Sequence, residues 1–503
     1  MQFGIWSRAA ALLLPVAFSV ALSGCAGNIN PVTGKPIITP FSSSIEASAG
    51  QKASEQLIAD YGVYQDTALN AYVDRVGQAL AKNTVRKSVK YTFTILDDDE
   101  INAFALPGGY VYITRGALNF ANSEAEVAAV LGHEIGHVDA FHFHLRLRSR
   151  DHDELDTVLS VLLRNSSKNA DDTAMAQKLA DRATKSSGYS REQEFEADAL
   201  GIHYLALAGY DPQAMAGALR TEHAKTLLDD GGMKGNPVAH DILALDQSHP
   251  ATPERVARAE EAAKVEAAKL QAAPDAVSAS AAGPKTDRDA YLAAIDGMPF
   301  GTDPGEGTVE GNRLVNAALG FSFEAPKDFD LWTAHDGAFG VSRNAVLIIE
   351  TTDGYTGQSL ATHVQSSMMP KTPVADVRPL DIAGYRGATG IATSDLFTAR
   401  LGAVHDAGKR LYQLVYVAPR GTFDDLDAAF LESLKSFHPL EGAEAAQKPA
   451  PRIRIVTVAG GDTVQSLAER MAVKEKKLEW FRVLNGLGAE DALKPGDKVK
   501  VVE

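Results

Sequence analysis

A run of five residues carries the clearest chemical signal, with His133, Glu134 and His137 in the order His-Glu-x-x-His. On a helix, residues four positions apart lie on one face, so His133 and His137 can present two imidazole nitrogens to one metal ion. Glu134 then lies where it can take a proton from a water bound to that ion. The spacing therefore predicts a metal site suited to hydrolysis. The alternative is a chance match on a helix with two solvated histidines.

A third ligand must come from another part of the chain, because a catalytic zinc site takes three protein ligands. The segment 190–201 offers one, since Glu194 and Asp198 are four residues apart and share a helix face. Glu194 can ligate the ion, and Asp198 can orient one of the histidines. Spacing by itself does not single out Glu194. Glu192 and Glu196 lie on other faces and are predicted to be solvated.

The elements that must position these residues are also visible in the sequence. Ser123 with Glu126, and Ser190 with Gln193, match the capping box that opens many helices. Each pair comes just before one half of the predicted site. Residues 91–114 are predicted to form a group of strands within a mainly helical region.

Two further histidines, His142 and His144, follow the motif closely. Their spacing takes them off the face that carries His137, so they are predicted to be surface residues. Residues 149–188 separate the two predicted metal-bearing helices and mix polar with apolar segments. From position alone, we predict that they form a lid or plug over the cleft.

The start of the chain reads as a signal peptide. In residues 1–25, Arg8 supplies the positive charge, Ala9 to Val20 the apolar stretch, and small residues precede Cys25, the only cysteine of the chain. The ending Leu-Ser-Gly-Cys resembles a bacterial lipobox, which predicts a lipid-anchored protein facing the periplasm. Ala26 after the cysteine favours the outer membrane. The alternative is an ordinary signal peptide with an incidental cysteine.

Composition narrows the class of protein. The 503 residues are 45% hydrophobic and 23% charged, as in ordinary soluble domains, and the length suits two to four of them. The formal net charge of -16 argues against nucleic acid as a partner, because phosphate binding requires basic patches. After the signal, no apolar run is long enough to span a bilayer.

Several separate stretches resemble the zinc metallopeptidases related to HtpX, BepA and the CAAX prenyl proteases, especially their periplasmic lipoprotein branch. These stretches are Asn30 to Gly34, Tyr61 to Tyr64, Tyr72 to Gly77, Asn102 to Arg115, the His-Glu-x-x-His run and the segment from Glu194 to Asp198. The resemblance covers residues 30–272 and is specific, because the motifs follow one another in the expected order.

The resemblance implies a mainly helical, zincin-type peptidase domain with a small sheet and one Zn²⁺ per chain. The implied zinc ligands are His133, His137 and Glu194. Glu134 is the implied general base, and Asp198 is the implied supporting carboxylate.

Related enzymes carry a His-Pro segment on a loop near the metal, similar to His249-Pro250. His249 is therefore a candidate regulatory latch that blocks the water position. The alternative is a loop histidine with no metal role.

We also predict a strand that binds extended substrate by β-augmentation, or that simply packs in the core. Its residues are Tyr110, Val111, Tyr112, Ile113 and Thr114.

Residues 453–503 resemble a LysM module. The resemblance lies in three short motifs, Gly-Asp-Thr, Leu-Asn-Gly and Lys-Pro-Gly-Asp, and in a predicted order of strand, helix, helix and strand. That family binds N-acetylglucosamine glycans such as peptidoglycan. The implied groove lies around Asp462, Thr463, Asn485 and Gly486. The alternative is a module kept for stability or protein contact.

The predicted fold class is α+β and multidomain, with short strands in the middle region at Phe321 to Glu324, Val346 to Thr351 and Leu411 to Val417. Changes in composition suggest the boundaries. They are a signal peptide 1–25, a tether 26–46, the peptidase domain 47–272, a linker 273–286, an α+β accessory domain of unknown role 287–440, a linker 441–452 and the LysM-like βααβ module 453–503.

These features favour a lipid-anchored, zinc-dependent endopeptidase that hydrolyses misfolded or misassembled cell-envelope proteins. Its partners would be those proteins, the membrane through Cys25, and peptidoglycan through the last module. One alternative is a cell-wall-associated scaffold or chaperone whose latent protease activity is held off by His249. Another is a peptidase that acts on peptidoglycan cross-links.

Overall fold

The computed structural model describes most of the chain. The described residues are 28–37, 43–142, 189–230, 249–272, 284–301, 307–317, 319–334, 337–357, 359–382, 385–405, 410–440 and 450–503. The predicted signal peptide with Cys25, His144 and the predicted lid 149–188 lie outside them. No helix of the described part combines the length and apolarity needed to cross a membrane.

The first part of the described chain is mainly helical, as predicted. Its helices are α1 (Ser43–Tyr61), α2 (Thr67–Ala81), α3 (Arg115–Phe120), α4 (Glu124–Asp139), α5 (Arg191–Leu207), α6 (Ala214–Asp230) and α7 (Pro253–Ala272). Its strands are β1 (Asn28–Ile29), β2 (Pro36–Ile37), β3 (Thr92–Leu96), β4 (Ala103–Leu106) and β5 (Tyr110–Thr114). The strand group predicted for residues 91–114 is confirmed.

The small sheet has the order β3-β5-β4, with β5 parallel to β3 and antiparallel to β4. Both edges of β5 are therefore already hydrogen-bonded, and the prediction that it pairs with substrate is wrong. Its side chains are mostly buried in the core, which was the alternative interpretation. The edge strands of this sheet are β3 and β4, and β4 contacts α4.

Helix α4 begins where the sequence predicts. Ser123 Oγ accepts from the backbone N–H of Glu126 over 3.2 Å. The Glu126 carboxylate accepts from the N–H of Asn122 at 2.7 Å, one residue before the N-cap residue Ser123. Helix α5 has the complete box, in which Ser190 and Gln193 each accept from the other's backbone N–H. These caps satisfy N–H groups that a helix start leaves without partners.

Helices α4 and α5 pack closely because glycines lie at their contact. A Cβ atom on Gly132 would lie 3.2 Å from the Cα of Gly201, and one on Gly136 would lie 2.8 Å from the carbonyl oxygen of Ala197. Backbones can approach this closely only where side chains are absent. The approach brings the His-Glu-x-x-His face of α4 onto the Glu194 face of α5.

The middle region is built on antiparallel sheets. Its strands are β6 (Thr308–Glu310), β7 (Arg313–Asn316), β8 (Phe321–Glu324), β9 (Asp330–Ala334), β10 (Gly337–Val341), β11 (Val346–Thr352), β12 (Val374–Ile382), β13 (Tyr385–Thr393), β14 (Phe397–His405), β15 (Leu411–Pro419) and β16 (His438–Pro439). A seven-stranded sheet has the order β12-β13-β14-β15-β11-β10-β9, and a four-stranded sheet the order β16-β8-β7-β6. The three strands predicted here are confirmed.

Two helices cover the large sheet, α9 (Leu360–Ser366) and α10 (Phe423–Lys435). They lie on opposite faces, because alternate residues of β15 belong to different hydrophobic clusters. Leu414 packs with Phe430 of α10, whereas Val417 packs with Val364 of α9. The side chains of a strand alternate between faces, so each helix buries one set.

The last module has the predicted βααβ order, with β17 (Ile453–Thr457), α11 (Val464–Ala468), α12 (Lys477–Leu484) and β18 (Lys498–Val502). It shares one hydrophobic cluster with the peptidase region and with helix α8 (Arg288–Ile295). The segment 288–300, which the sequence assigns to the middle region, therefore packs between the first and last parts of the chain. The described structure is a mixed α+β fold, as predicted.

Candidate metal centre

Four side chains converge between helices α4 and α5 and the start of α7. His133 Nε2 lies 3.0 Å from His137 Nε2 and 3.3 Å from a carboxylate oxygen of Glu194. His249 Nδ1 lies 3.2 Å from His133 Nε2 and 3.0 Å from the other Glu194 oxygen. His133, His137 and Glu194 are buried, and His249 is partly buried.

The separations between these atoms fit a tetrahedral metal ion. Four bonds of about 2.0–2.2 Å place the ligand atoms of a zinc site about 3.3–3.6 Å apart. The measured separations of 3.0–3.3 Å around His133 Nε2, and 3.6 Å between His137 Nε2 and Glu194, lie close to that range. Two imidazoles and a carboxylate are also the donor types that zinc prefers. The cluster is therefore compatible with a bound metal ion.

A carboxylate supports the first histidine from behind. His133 Nδ1 donates to Asp198 Oδ1 over 2.8 Å, which turns Nε2 toward the cluster. Burial alone would raise the pKa of the Asp198 carboxyl, but the adjacent Arg255 charge and the His133 hydrogen bond lower it overall. The carboxylate can thus stay ionised and hold the ring in one tautomer. This is the geometry predicted for Asp198.

Arg255 is a residue that the sequence interpretation missed. It is 3% exposed, and its guanidinium donates to both Asp198 oxygens at 3.0 and 2.8 Å. The same group lies 3.0 Å from Glu194 and donates to the carbonyl oxygen of His249 at 2.8 Å. It therefore pairs with two buried carboxylates and holds the loop that carries His249. Its only sequence signal was its place in the Thr-Pro-Glu-Arg start of α7.

The predictions for His142 and Glu196 are wrong. His142 is fully buried, and its Nδ1 lies 2.8 Å from Nδ1 of His137. Glu196 is not simply solvated, because it lies 3.2 Å from His142 Nε2 and accepts a hydrogen bond from Asn30. Helical periodicity does not place His142, because α4 ends at Asp139 and Phe141 adopts a left-handed φ of 59°. Glu192 is exposed, as predicted.

Glu134 is 2% exposed and lies beside the cluster, with one oxygen 3.7 Å from His249 Nε2. The ring of Tyr189 stacks on His137 with centroids 3.9 Å apart. His249 fills the fourth corner of the cluster in this conformation.

Residues predicted for the glycan groove are engaged in contacts within the last module or lie against Asn122. Asn485 is buried, and its side chain bonds the backbone of Phe481 and Lys500, so it cannot contact a glycan. A Cβ on Gly486 would lie 3.0 Å from the side-chain amide of Asn122. Thr463 Oγ1 caps α11 by accepting from the Ser466 N–H. The prediction for Asn485 is therefore wrong.

Comparison with known proteins agrees with this geometry. Residues 67–263 match the family model described as peptidase family M48. The chain is 29% identical over 174 residues to the beta-barrel assembly-enhancing protease of Escherichia coli K12, covering 34% of this chain and 36% of the relative. It is 26% identical over 236 residues to the mitochondrial metalloendopeptidase OMA1 of Schizosaccharomyces pombe, covering 46% and 65%.

A third relative is the metalloprotease YcaL of Escherichia coli K12, 25% identical over 260 residues, with 48% of this chain and 93% of the relative covered. The chain spans only about a third of the length of the assembly-enhancing proteases that it matches. The matched region holds His133, His137, Glu194 and Arg255. The family match and these relatives support a metalloprotease, and residues 67–263 are the part of the chain that resembles peptidase family M48.

Proposed function

We propose that this protein is a zinc-dependent endopeptidase that cuts misfolded or misassembled proteins of the cell envelope. The observation that carries the proposal is the convergence of His133, His137 and Glu194 within 3.6 Å of one another, beside the buried Glu134. A zinc ion bound there would supply an activated water at neutral pH and stabilise charge on the carbonyl oxygen. We assign the ligand role to those three residues.

The roles of the neighbouring side chains follow from their positions. Glu134 takes the proton of the attacking water and later passes it to the leaving amine. Asp198 and Arg255 hold His133 and Glu194 in place through their hydrogen bonds. Because these groups are buried, water outside the site competes little with the charges that act on the substrate.

An extended substrate is best accommodated along β4. This strand lies at the edge of its sheet and contacts α4, so it can add a further strand next to the site. Pairing of this kind uses hydrogen bonds to the substrate backbone and depends little on its side chains. Unfolded segments of many sequences can therefore bind. The relatives named for beta-barrel assembly support a substrate from the envelope.

We further propose that the protein is a periplasmic lipoprotein anchored through Cys25, in the outer membrane. The lipobox-like end of the predicted signal peptide and the Ala26 that follows it support this location. We propose that the last module binds peptidoglycan through the exposed surface around Asp462. Asn485 takes no part in this binding, because it is buried.

A second function is favoured by His249. Its Nδ1 lies 3.2 Å from His133 Nε2 and 3.0 Å from Glu194, at the corner that water must occupy. A protein held in this state would act as a cell-wall-associated scaffold or chaperone with latent protease activity. Release of the loop would then be the step that starts proteolysis.

The test is degradation of casein by the full-length protein in detergent, with zinc content measured in parallel. We expect cutting that a chelator stops and that Glu134→Gln reduces about 10²–10⁴-fold without loss of zinc. Glu192→Gln, an exposed carboxylate on α5, is the matched control and should cut normally. Normal cutting by Glu134→Gln would overturn the assignment, whereas zinc binding without any cutting would favour the scaffold.

A further inference from the structure

A chain of polar side chains runs from the metal centre to the N-terminal turn of the described structure. His142 Nδ1 lies 2.8 Å from His137 Nδ1, and His142 Nε2 lies 3.2 Å from Glu196 Oε2. That same oxygen accepts from Asn30 Nδ2 at 2.6 Å. His142 and Asn30 are buried, at 0% and 6% exposure. The two ends of the chain are 107 residues apart in sequence, from Asn30 to His137.

The backbone after α4 bends back to bring His142 behind His137. Phe141 adopts a φ of 59°, the left-handed region that a bulky side chain rarely occupies. The guanidinium of Arg86 lies 4.0 Å above the Phe141 ring and also donates to the carbonyl oxygen of Val138. An unfavourable conformation persists only where the surroundings hold it, and such positions cluster at functional sites.

The hydrogen bonds in this chain have one consistent direction. When Nε2 of His137 binds a metal ion, its Nδ1 carries the proton and donates to Nδ1 of His142. His142 then carries its own proton on Nε2 and donates to Glu196. The Glu196 carboxylate accepts from both His142 and Asn30. Each ring is thereby held in one tautomer.

Asn30 connects this chain to the turn between β1 and β2. Its Oδ1 accepts from the backbone N–H groups of Val32 and Thr33, at 2.8 and 2.9 Å. Its backbone N–H donates to the Lys35 carbonyl oxygen at 2.9 Å. The one amide therefore shapes the turn with its oxygen and binds Glu196 with its nitrogen. The turn cannot move away without breaking the bond to Glu196.

The two metal-facing histidines thus have different supports. His133 is held directly by a carboxylate, Asp198, which pairs with Arg255. His137 is held through a second histidine, by a carboxylate on the far side of it. A residue behind a metal ligand fixes ring orientation and basicity, and its loss typically weakens metal binding 10–100-fold.

We propose that His142, Glu196 and Asn30 are positioning residues of the metal centre, and that the turn at residues 30–34 is an integral part of it. This inference rests on the proposed zinc site. The segment that precedes the peptidase domain then has a structural task beyond linking the domain to an anchor. Displacing the turn weakens metal binding at a site that it does not touch.

The experiment measures zinc affinity of the full-length protein by competition with a chromophoric chelator. We expect His142→Ala and Glu196→Ala to weaken zinc binding about 10–100-fold. Asn30→Ala should weaken it less, because Glu196 remains in place. Glu192→Ala is the matched control, an exposed carboxylate on the same helix, and should bind zinc normally.

Coupling separates a connected chain from general loss of packing. Asn30→Ala should cause little further loss of zinc affinity in a Glu196→Ala background, because its partner is already gone. Free imidazole should restore part of the affinity of His142→Gly. The absorption spectrum of bound Co²⁺ should shift in His142→Ala and stay unchanged in Glu192→Ala.

Two outcomes separate failure of this inference from failure of the proposed function. Zinc affinity of His142→Ala and Glu196→Ala equal to that of Glu192→Ala would overturn this inference alone, whatever the thermal stability of the metal-free variants. Absence of zinc binding in the wild type would overturn the proposed function and, with it, this inference.

Discussion

The ammonium group of Lys500 donates to the carbonyl oxygen of Ala121 over 2.7 Å, deep between the last module and the segment that precedes helix α4. It also donates to the carbonyl oxygens of Asn119 and Phe120, at 2.8 and 3.2 Å. Trp480 packs against Phe120 with ring centroids 6.1 Å apart. The end of α3 is thus completed by a residue of another module, and the metal-bearing helix starts next to it.

We expect Lys500→Met to lower the free energy of unfolding by about 2–4 kcal/mol, because three buried carbonyl groups lose their donor. Chemical denaturation in the presence of a chelator measures the change. Lys498→Met is the control, because its ammonium pairs with the exposed Asp289 and such surface pairs contribute less than about 1 kcal/mol. Equal losses in the two variants would contradict a special role for Lys500.

Glu124 should make the stability of the metal-free protein depend on acid pH. Burial opposes its ionisation, but hydrogen bonds from Arg75, Tyr210 and Tyr72 lower its pKa to about 2. A lowered carboxyl pKa stabilises the fold above the unfolded value of about 4.5, and the stability is lost as pH falls toward 2. We expect Glu124→Gln to cost about 2–3 kcal/mol at neutral pH and to flatten this part of the profile.

Denaturation of both proteins from pH 6 down to about pH 2, with chelator present, tests this expectation. Glu192→Gln, at an exposed position, should keep the wild-type profile. A Glu124→Gln profile as steep as that of the wild type would assign the acid sensitivity to other carboxyls.

Removing His249 should open the fourth corner of the metal cluster. If the open state of the wild type is a minor conformation of about 10% or less, His249→Ala should raise casein cutting about tenfold or more. Its zinc affinity should fall modestly, because an imidazole nitrogen leaves the cluster. His203→Ala is the control, since the His203 side chain is half-exposed and pairs with Glu266 on α7. Unchanged or lower activity of His249→Ala would exclude a latch.

Gly136→Ala should separate the two metal-bearing helices. Its Cβ would lie 2.8 Å from the Ala197 carbonyl oxygen, closer than the packing allows. We expect a loss of about 1–3 kcal/mol from overpacking, partly offset by the better helix propensity of alanine, and weaker zinc binding. Gly421→Ala, which has open space around it, should change neither quantity. Normal zinc affinity of Gly136→Ala would show that the helices adjust without moving the ligands.

Short-range patterns were enough to predict much of the site. The positions of His133 and His137 follow from helical periodicity, and both helix starts follow from side chains that bond their own backbone. The pairing of Glu194 with Asp198 on one face follows from the same periodicity. These features depend on residues within a single turn of helix, so neighbouring sequence determines them.

Contacts between distant segments were decided only by the tertiary structure. The direction of His142 depends on the left-handed Phe141, and its partners come from α5 and from Asn30, far away in sequence. The central place of β5 depends on which strands pair, and the burial of Asn485 depends on its hydrogen bonds to the backbone of Lys500 on β18. Such contacts depend on packing between surfaces that no local pattern encodes, because each needs both partners to be already folded.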